Sequence, residues 1–394
     1  MTYAIIVVIL LCLSYHYDIL GKKDRNRYFC YYFVLFLLIL VSGLRYRIGV
    51  DTTRYITKFF HEYPDLWDIT WDDFSYGSDP LYMLLNSLIH SLGGKFYVVQ
   101  LLHASFVNFL IFKYIKKHTN FIFTSVLFYF VLYYPGYNFD IMRASMSIAI
   151  CLYANDCIIE KKYIRGVFIY LIGCLFHFST LFIIITIFLL KLRLNIIGYC
   201  TLIMAFFVGS YIMTNLEDYL KMLELGDIFS TKSYYYLHEG GSTENNYNIY
   251  GYIGGLIPCV YPIISILYLK KYKRIDMINL EPMVLIGIIL SIIGFYVPII
   301  KRLAVFYYIY FVLFDASLFI SMVNRFKHLG IGLRLVRAII IISPVFFITF
   351  KRNVDMKMVQ CFYPYSSVFD KTIDPERERV YKYYEGDPAK PGEY

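Results

Sequence analysis

Long apolar runs separated by short polar connections set the pattern of this chain. Runs of spanning or near-spanning length fall at 3–20, 28–44, 96–115, 120–135, 141–159, 163–176, 178–190, 195–213, 250–270, 281–298, 303–322 and 335–350. A bilayer core of roughly 30 Å needs about 20 such residues in a helix, so the pattern predicts an all-α transmembrane bundle of about twelve spans, with 11 to 14 as the range. The run Leu81 to Leu92 is too short to cross and ends at Gly93-Gly94. Were it a span, the cations around Lys116 would change sides, so it reads as a re-entrant or interfacial helix.

With that choice every basic cluster lies on one face: Lys22, Lys23, Arg25 and Arg27; Lys113, Lys116 and Lys117; Lys161, Lys162 and Arg165; Lys191 and Arg193; Lys270, Lys271, Lys273 and Arg274; Arg325, Lys327, Arg334 and Arg337. The positive-inside rule makes that face cytoplasmic and puts both termini outside. Residues 1–350 then form the membrane domain, with outer loops at 45–80 and 215–249 and an outer tail at 351–394. The end of the tail, Glu376 to Tyr394, carries Pro388 and Pro391 and few aliphatic residues, and is expected to be poorly ordered.

Composition narrows the class. Of 394 residues, 59% are hydrophobic and only 17% charged, more apolar surface than a soluble domain buries. The net charge of +9 is spread over the connections, which argues against a nucleic-acid face. The eight cysteines lack metal-ligand spacing, and most lie inside apolar runs as packing residues. The first apolar run has no basic n-region or clear cleavage site, so it is expected to remain as the first span. Tyrosines and phenylalanines, 42 and 34 of them, suit interfacial belts and also a sugar-handling cavity.

The candidate chemistry gathers at the outer helix ends. After the run ending at Leu44 come Arg45, Arg47, Gly49, Asp51 and Tyr55. In an extended segment Arg45 and Arg47 face the same way, a fork suited to an anion; snorkelling at a helix end is the competing explanation. Gly49 permits a tight turn before Asp51. Arg143 lies one turn into an entering helix, either paired with Asp140 three residues earlier or lining a cavity that awaits an anion. His177 interrupts two apolar runs and is either a base near neutral pH or a structural histidine bonded to Ser179 or a carbonyl. Lys301 and Arg302 mark another outer helix end. Asp315, about 20 Å deeper, reads as a structural or packing carboxylate first and a catalytic base second, and Asp18 and Asp156 fall at inner helix ends. His90, His103 and Glu281 show no distinctive spacing. Cations at Arg45, Arg47, Arg143, Lys301 and Arg302 on the face opposite the basic clusters suggest one polyanion, a lipid-linked pyrophosphate.

Four stretches then resemble the EpsG-like branch of the Wzy-type polysaccharide polymerases: Arg45, Gly49, Asp51, Thr52 and Tyr55; Ser78-Asp79-Pro80-Leu81-Tyr82; Asn138 to Arg143; and Phe176 to Ser179. Ala144 stands where such proteins often carry glutamine, and Asp79 where glutamate is usual. The resemblance implies a glycosyltransferase of the bacterial inner membrane, in O-antigen, capsule or exopolysaccharide synthesis, with a GT-C-like arrangement left open. It would join undecaprenyl-pyrophosphate-linked oligosaccharide units at the periplasmic face. An acceptor hydroxyl would attack the donor anomeric carbon and expel lipid pyrophosphate. In that reaction Asp51 or His177 takes the proton, Arg143 acts at the reacting centre, and Arg45, Arg47, Tyr55, Asp140, Lys301 and Arg302 hold substrate. No cofactor, metal or nucleic acid is expected; the partners are membrane lipid and, as a further candidate, a chain-length regulator protein. A lipid-linked oligosaccharide flippase, an O-antigen ligase and a sugar acyltransferase are the alternatives. The topology has a direct check: a cysteine at position 240 is expected to react with an impermeant maleimide on intact cells and one at position 117 is not, and labelling at 117 alone would reverse the orientation.

Overall fold

The computed structural model describes residues 2–74, 79–222, 249–272, 275–325, 329–355 and 358–385. Among these every regular element is helical, and the strand-like geometry is confined to a single antiparallel bridge between Arg45 and Ser367. Five helices are long and apolar enough to cross a membrane: Thr2–Ile19, Phe96–His118, Met142–Ile159, Ile300–Arg325 and Ile331–Ile348. Six shorter apolar helices accompany them. The chain divides into two compact units, residues 1–184 with 319–394, and residues 185–318. Most of the outer loop expected at 215–249 lies outside the described residues.

In the first unit, α1 (Thr2–Leu13, continued by a wider turn to Ile19), α2 (Arg27–Gly43), α3 (Thr52–Thr57), α4 (Pro80–Ser91), α5 (Phe96–His118), α6 (Ile122–Leu132), α7 (Met142–Ile159) and α8 (Tyr163–Phe176) follow in order. Several of their buried polar groups are paired with one another, as an environment without water favours. Asn108 donates to the Asn138 carbonyl oxygen at 2.6 Å, the Tyr129 hydroxyl donates to Asn108 at 3.2 Å, and His103 Nε2 meets Ser145 Oγ at 2.8 Å. Helices α2 and α5 pack closely because Gly43 has no side chain: a Cβ there would come within 2.8 Å of the Leu101 Cα.

The two ends of this unit differ in charge. At one end Asp156 binds Lys117 at 2.5 Å, His118 at 2.9 Å and the Tyr114 hydroxyl at 3.0 Å. At the same end of the helices, Asp18 accepts from the Thr124 backbone and hydroxyl at 2.7 and 2.9 Å and lies 3.5 Å from Arg27. Helices α5 and α7 therefore run toward this basic end and α6 and α8 away from it. The opposite end holds the residue 45–51 loop and the start of α1, where the Tyr3 and Tyr365 rings stand 5.8 Å apart. Helix α4 stays at one end of the unit. It begins at Asp79, beside Arg143 at the start of α7, and finishes at His90, whose ring packs with Phe59 beside Phe96 at the start of α5. Both of its ends thus lie at one end of the unit, as an interfacial helix requires.

The C-terminal segment departs from expectation. Residues 376–385 are not loose: they belong to a helix, Pro375–Glu385, that docks on the 45–51 loop. The Tyr46 N–H donates to the Ser366 carbonyl at 2.9 Å and the Gly49 N–H to Cys361 at 3.1 Å. The Tyr381 hydroxyl donates to the carbonyls of Arg47 and Gly49 at 3.0 and 2.8 Å, and buried Arg377 donates to the Arg47 carbonyl at 3.2 Å. A short peptide loop at a membrane surface has unpaired carbonyls, and the tail supplies the donors that its own polarity seemed to reserve for water. The final nine residues lie outside the described set.

The second unit contains a helix at Thr186–Leu189, the helices Ile196–Met222, Ile249–Lys271 and Glu281–Tyr296, the short helix Pro298–Ala304 and the start of Tyr308–Arg325. Buried Glu281 accepts from Lys270 at 2.6 Å and from the Leu194 N–H. Asp315 accepts from Ser265 at 3.0 Å, which fits the structural role read from the sequence.

Breaking the tie between loop and tail gives a measurable outcome. Arg47, 2% exposed, binds Glu378 through two nitrogens at 3.0 and 2.8 Å. Glu378→Ala leaves a buried guanidinium without its carboxylate, a loss of roughly 3 kcal/mol. Limited proteolysis of membranes is expected to release the 358–385 segment faster in Glu378→Ala, with partial recovery in Arg47→Ala/Glu378→Ala; equal rates in wild type and single variant would remove the clamp.

Candidate active site

Asp79 stands immediately before Pro80, whose fixed φ suits the first position of α4. An aspartate there ordinarily caps its own helix, yet this carboxylate makes no bond to α4. It turns instead to two other helix ends. Oδ2 accepts from Arg143 Nη1 at 2.6 Å, in the first turn of α7. Oδ1 accepts from the Phe178 N–H at 3.2 Å and lies 3.5 Å from His177 Nδ1. His177 ends α8 in an extended conformation, so its ring projects from a helix terminus rather than into the helix packing.

Burial would push the Asp79 carboxyl up; the contact from His177 and the charge of Arg143 outweigh it and hold Asp79 below the usual carboxylate range. The Asp79 side chain is 5% exposed, whereas those of Arg143 and His177 are 29% and 24% exposed. A buried anion is thus flanked by two groups that reach solvent. The Arg143 guanidinium also meets the Tyr55 phenol, and Tyr63 lies close enough to feel its charge. Arg143 Nε has no hydrogen-bond partner. Tyr55, on α3, is pushed up to about 12 by burial despite the pull of Arg143, and so stays a neutral hydroxyl.

The expected Asp140–Arg143 pair does not form. Residues 136–140 make a wide turn, Ile141 leaves helical geometry with ψ 49°, and α7 starts only at Met142, so the two side chains are not three apart on one helix face. Asp140 faces the loop instead and accepts from the Val50 N–H at 2.6 Å. Burial, then the neighbouring charge of Asp51, drives its carboxyl well above the ordinary value. Asp51 and Asp140 are consequently a second, coupled pair of carboxylates beside Tyr55.

Arg45 and Arg47 do not form the fork that an extended segment would give. Arg47 adopts φ 49°, which breaks the alternation and points the two side chains into different surroundings. Arg45 is wholly buried, donating to the carbonyls of Ser42 and, at 3.1 Å, Ile48, with its guanidinium 5.1 Å from the Phe139 ring centre. Arg47 is held by Glu378 as described. Gly49 explains why the loop folds this way: its φ is 120°, and a Cβ would sit 2.8 Å from the Phe139 carbonyl. Lys301 and Arg302 belong to the second unit, exposed on Pro298–Ala304, with the Lys301 backbone packed against Gly294.

Sequence reasoning singled out Arg143, His177 and Tyr55, which the structure brings together; Asp79, which joins them, was quoted only in the stretch Ser78 to Tyr82 that carries the family resemblance and was given no role at the site. Among the described residues no group of three or more His, Cys, Asp or Glu side chains is arranged to hold a metal ion.

Comparison with known proteins returned no matching curated protein and no matching solved structure. One family model aligns with residues 28–367, a stretch that takes in the 45–51 loop, Asp79, Arg143 and His177. With most of its length matched in this way, the chain belongs to the EpsG family.

Proposed function

We propose that this protein is a membrane glycosyltransferase that lengthens a polysaccharide from lipid-linked repeat units at the outer face of the bacterial inner membrane. Membership of the EpsG family supports a polysaccharide-polymerase function in a membrane. The observation that carries the finer reading is the Asp79 cluster: a partly exposed arginine and a partly exposed histidine fixed by one carboxylate at the end of the bundle away from the basic clusters. Five helices long and apolar enough to cross a membrane, with six shorter apolar ones, support the membrane setting of this reading.

The reaction that fits is an acyl-free glycosyl transfer. The donor is a sugar chain on a polyprenyl pyrophosphate, undecaprenyl in bacteria. The acceptor hydroxyl oxygen bonds to the donor anomeric carbon as the bond from that carbon to the pyrophosphate oxygen breaks; the hydroxyl proton passes to a base, and the lipid pyrophosphate departs with the bonding pair. Negative charge grows on the departing group, so a pre-placed cation lowers the barrier. Arg143 fills that role, with its side chain 29% exposed and Tyr55 beside it. His177 is the base: its Nδ1 lies 3.5 Å from Asp79 Oδ1, whose charge favours the protonated ring, and Nε2 is left for the hydroxyl. Asp51, coupled to Asp140, is the second candidate for that proton. Arg45 and Arg47 serve by shaping the loop that carries Asp51 and Tyr55. Lys301 and Arg302 are substrate-binding candidates to be judged by their own substitution.

In purified protein supplied with lipid-linked repeat units in detergent, wild type is expected to build glycan ladders. A flippase cannot do so, since it needs two leaflets, and absence of any elongation would favour that reading. Arg143→Ala is expected to lower turnover about 100-fold or more, the usual loss when a transition-state donor is removed. His177→Ala should cost a similar factor and Asp51→Asn much less. The reverse order for the last two would move the base to Asp51, and a normal ladder from Arg302→Ala would take that residue out of the mechanism.

A further inference from the structure

Arg143 is poorly used for an arginine beside a buried carboxylate. A guanidinium facing a carboxylate commonly forms a two-pronged pair, whereas Arg143 makes a single bond to Asp79 through Nη1 and leaves Nε unbonded. Arg47 in the same unit shows the alternative, with two nitrogens on Glu378. The carboxylate, in contrast, is held independently of Arg143. The Phe178 N–H fixes Oδ1, and Asp79 is nearly fully buried before a proline-started helix. The anion is therefore the fixed member and the arginine the movable one.

We propose that Asp79 is the resident counterion of the diphosphate site, neutralising Arg143 while that site is empty and competing with the incoming diphosphate for the guanidinium. This rests on the reading of Arg143 as a diphosphate ligand. A partly buried cation with no counterion is costly, so the protein supplies one of its own. A diphosphate offers several oxygens to the exposed part of the Arg143 guanidinium, which Asp79 engages through Nη1 alone, and takes it over. The carboxylate stays in place and its charge then acts on His177 alone, which couples arrival of the donor to support for the base. Asp79 is thus a positioning residue that touches neither reacting atom, and it lowers affinity for the leaving group in exchange for order in the site.

A merely structural carboxylate and a competing one give opposite binding results. Inorganic pyrophosphate is titrated by calorimetry into the full-length protein in detergent. Asp79→Asn is expected to bind it about ten-fold tighter than wild type while turnover on lipid-linked units falls about 100-fold, and Asp79→Glu is expected to stay near wild type in both. Unchanged or weaker pyrophosphate binding by Asp79→Asn overturns the proposal. If that variant is not monodisperse, Asp79→Ser, which keeps a capping oxygen, replaces it in the same titration. Arg143→Gln separates the two levels: binding equal to wild type there would remove Arg143 from the diphosphate site altogether, whereas lost binding there with no gain in Asp79→Asn would defeat only the counterion.

Discussion

A buried carboxylate has to be answered by hydrogen-bond donors, and at Asp79 that requirement is met by three different parts of the chain. The start of α4 supplies the anion, the first turn of α7 an arginine, and the break after α8 a histidine and a backbone N–H. In a medium of low dielectric such contacts are hard to give up, because each separated partner would be left uncompensated. The position of α4 follows from this. Its N-terminus is tied at one end of the first unit by the Asp79–Arg143 pair. Its other end meets the 58–66 stretch, where Ser91 accepts from the Leu66 N–H and Asp65 binds His90 at 2.8 Å.

Three arginines that sequence reasoning grouped together have separate fates in the first unit, and the difference lies in what reaches each one. Arg45 is enclosed by carbonyls of its own loop and by an aromatic face. Arg47 meets a carboxylate from the C-terminal helix, over three hundred residues away. Arg143 alone keeps both a partial exposure and an unbonded nitrogen. Chemistry on an anionic leaving group needs a cation whose pairing is incomplete, and only the last arginine meets that condition.

Much of the architecture was legible in the hydrophobic pattern. Most apolar runs correspond to helices within about five residues, and the short Leu81 to Leu92 run is a helix, Pro80–Ser91, with both ends at one end of the first unit. Asp18 and Asp156 lie at the basic end where depth counting put them. What the pattern could not carry was direction and long range. Extended alternation for Arg45 and Arg47 assumed a φ that Arg47 does not adopt, and spacing alone placed Asp140 on a helix that begins two residues later. The end of the tail read as poorly ordered because its sequence is polar with few aliphatics; its partners are backbone carbonyls, which leave no mark on composition.

The tail's attachment bears on why the 45–51 loop is where it is. Its backbone takes a positive φ at Arg47 and at Gly49, and residues in such conformations hold only where the surroundings over-determine them. Tyr381 and Arg377 bind the two carbonyls that flank this bend, and Glu378 binds the side chain that leaves it. From that bend the chain proceeds directly to Asp51 and to Tyr55, which rests on Arg143. A polar C-terminal helix therefore fixes one wall of a cluster whose other wall is made by α4, α7 and α8. The clamp and the carboxylate at Asp79 act independently on the same guanidinium, one by placing Tyr55 beside it and one by direct charge, so that Arg143 is oriented in the empty site without being fully neutralised.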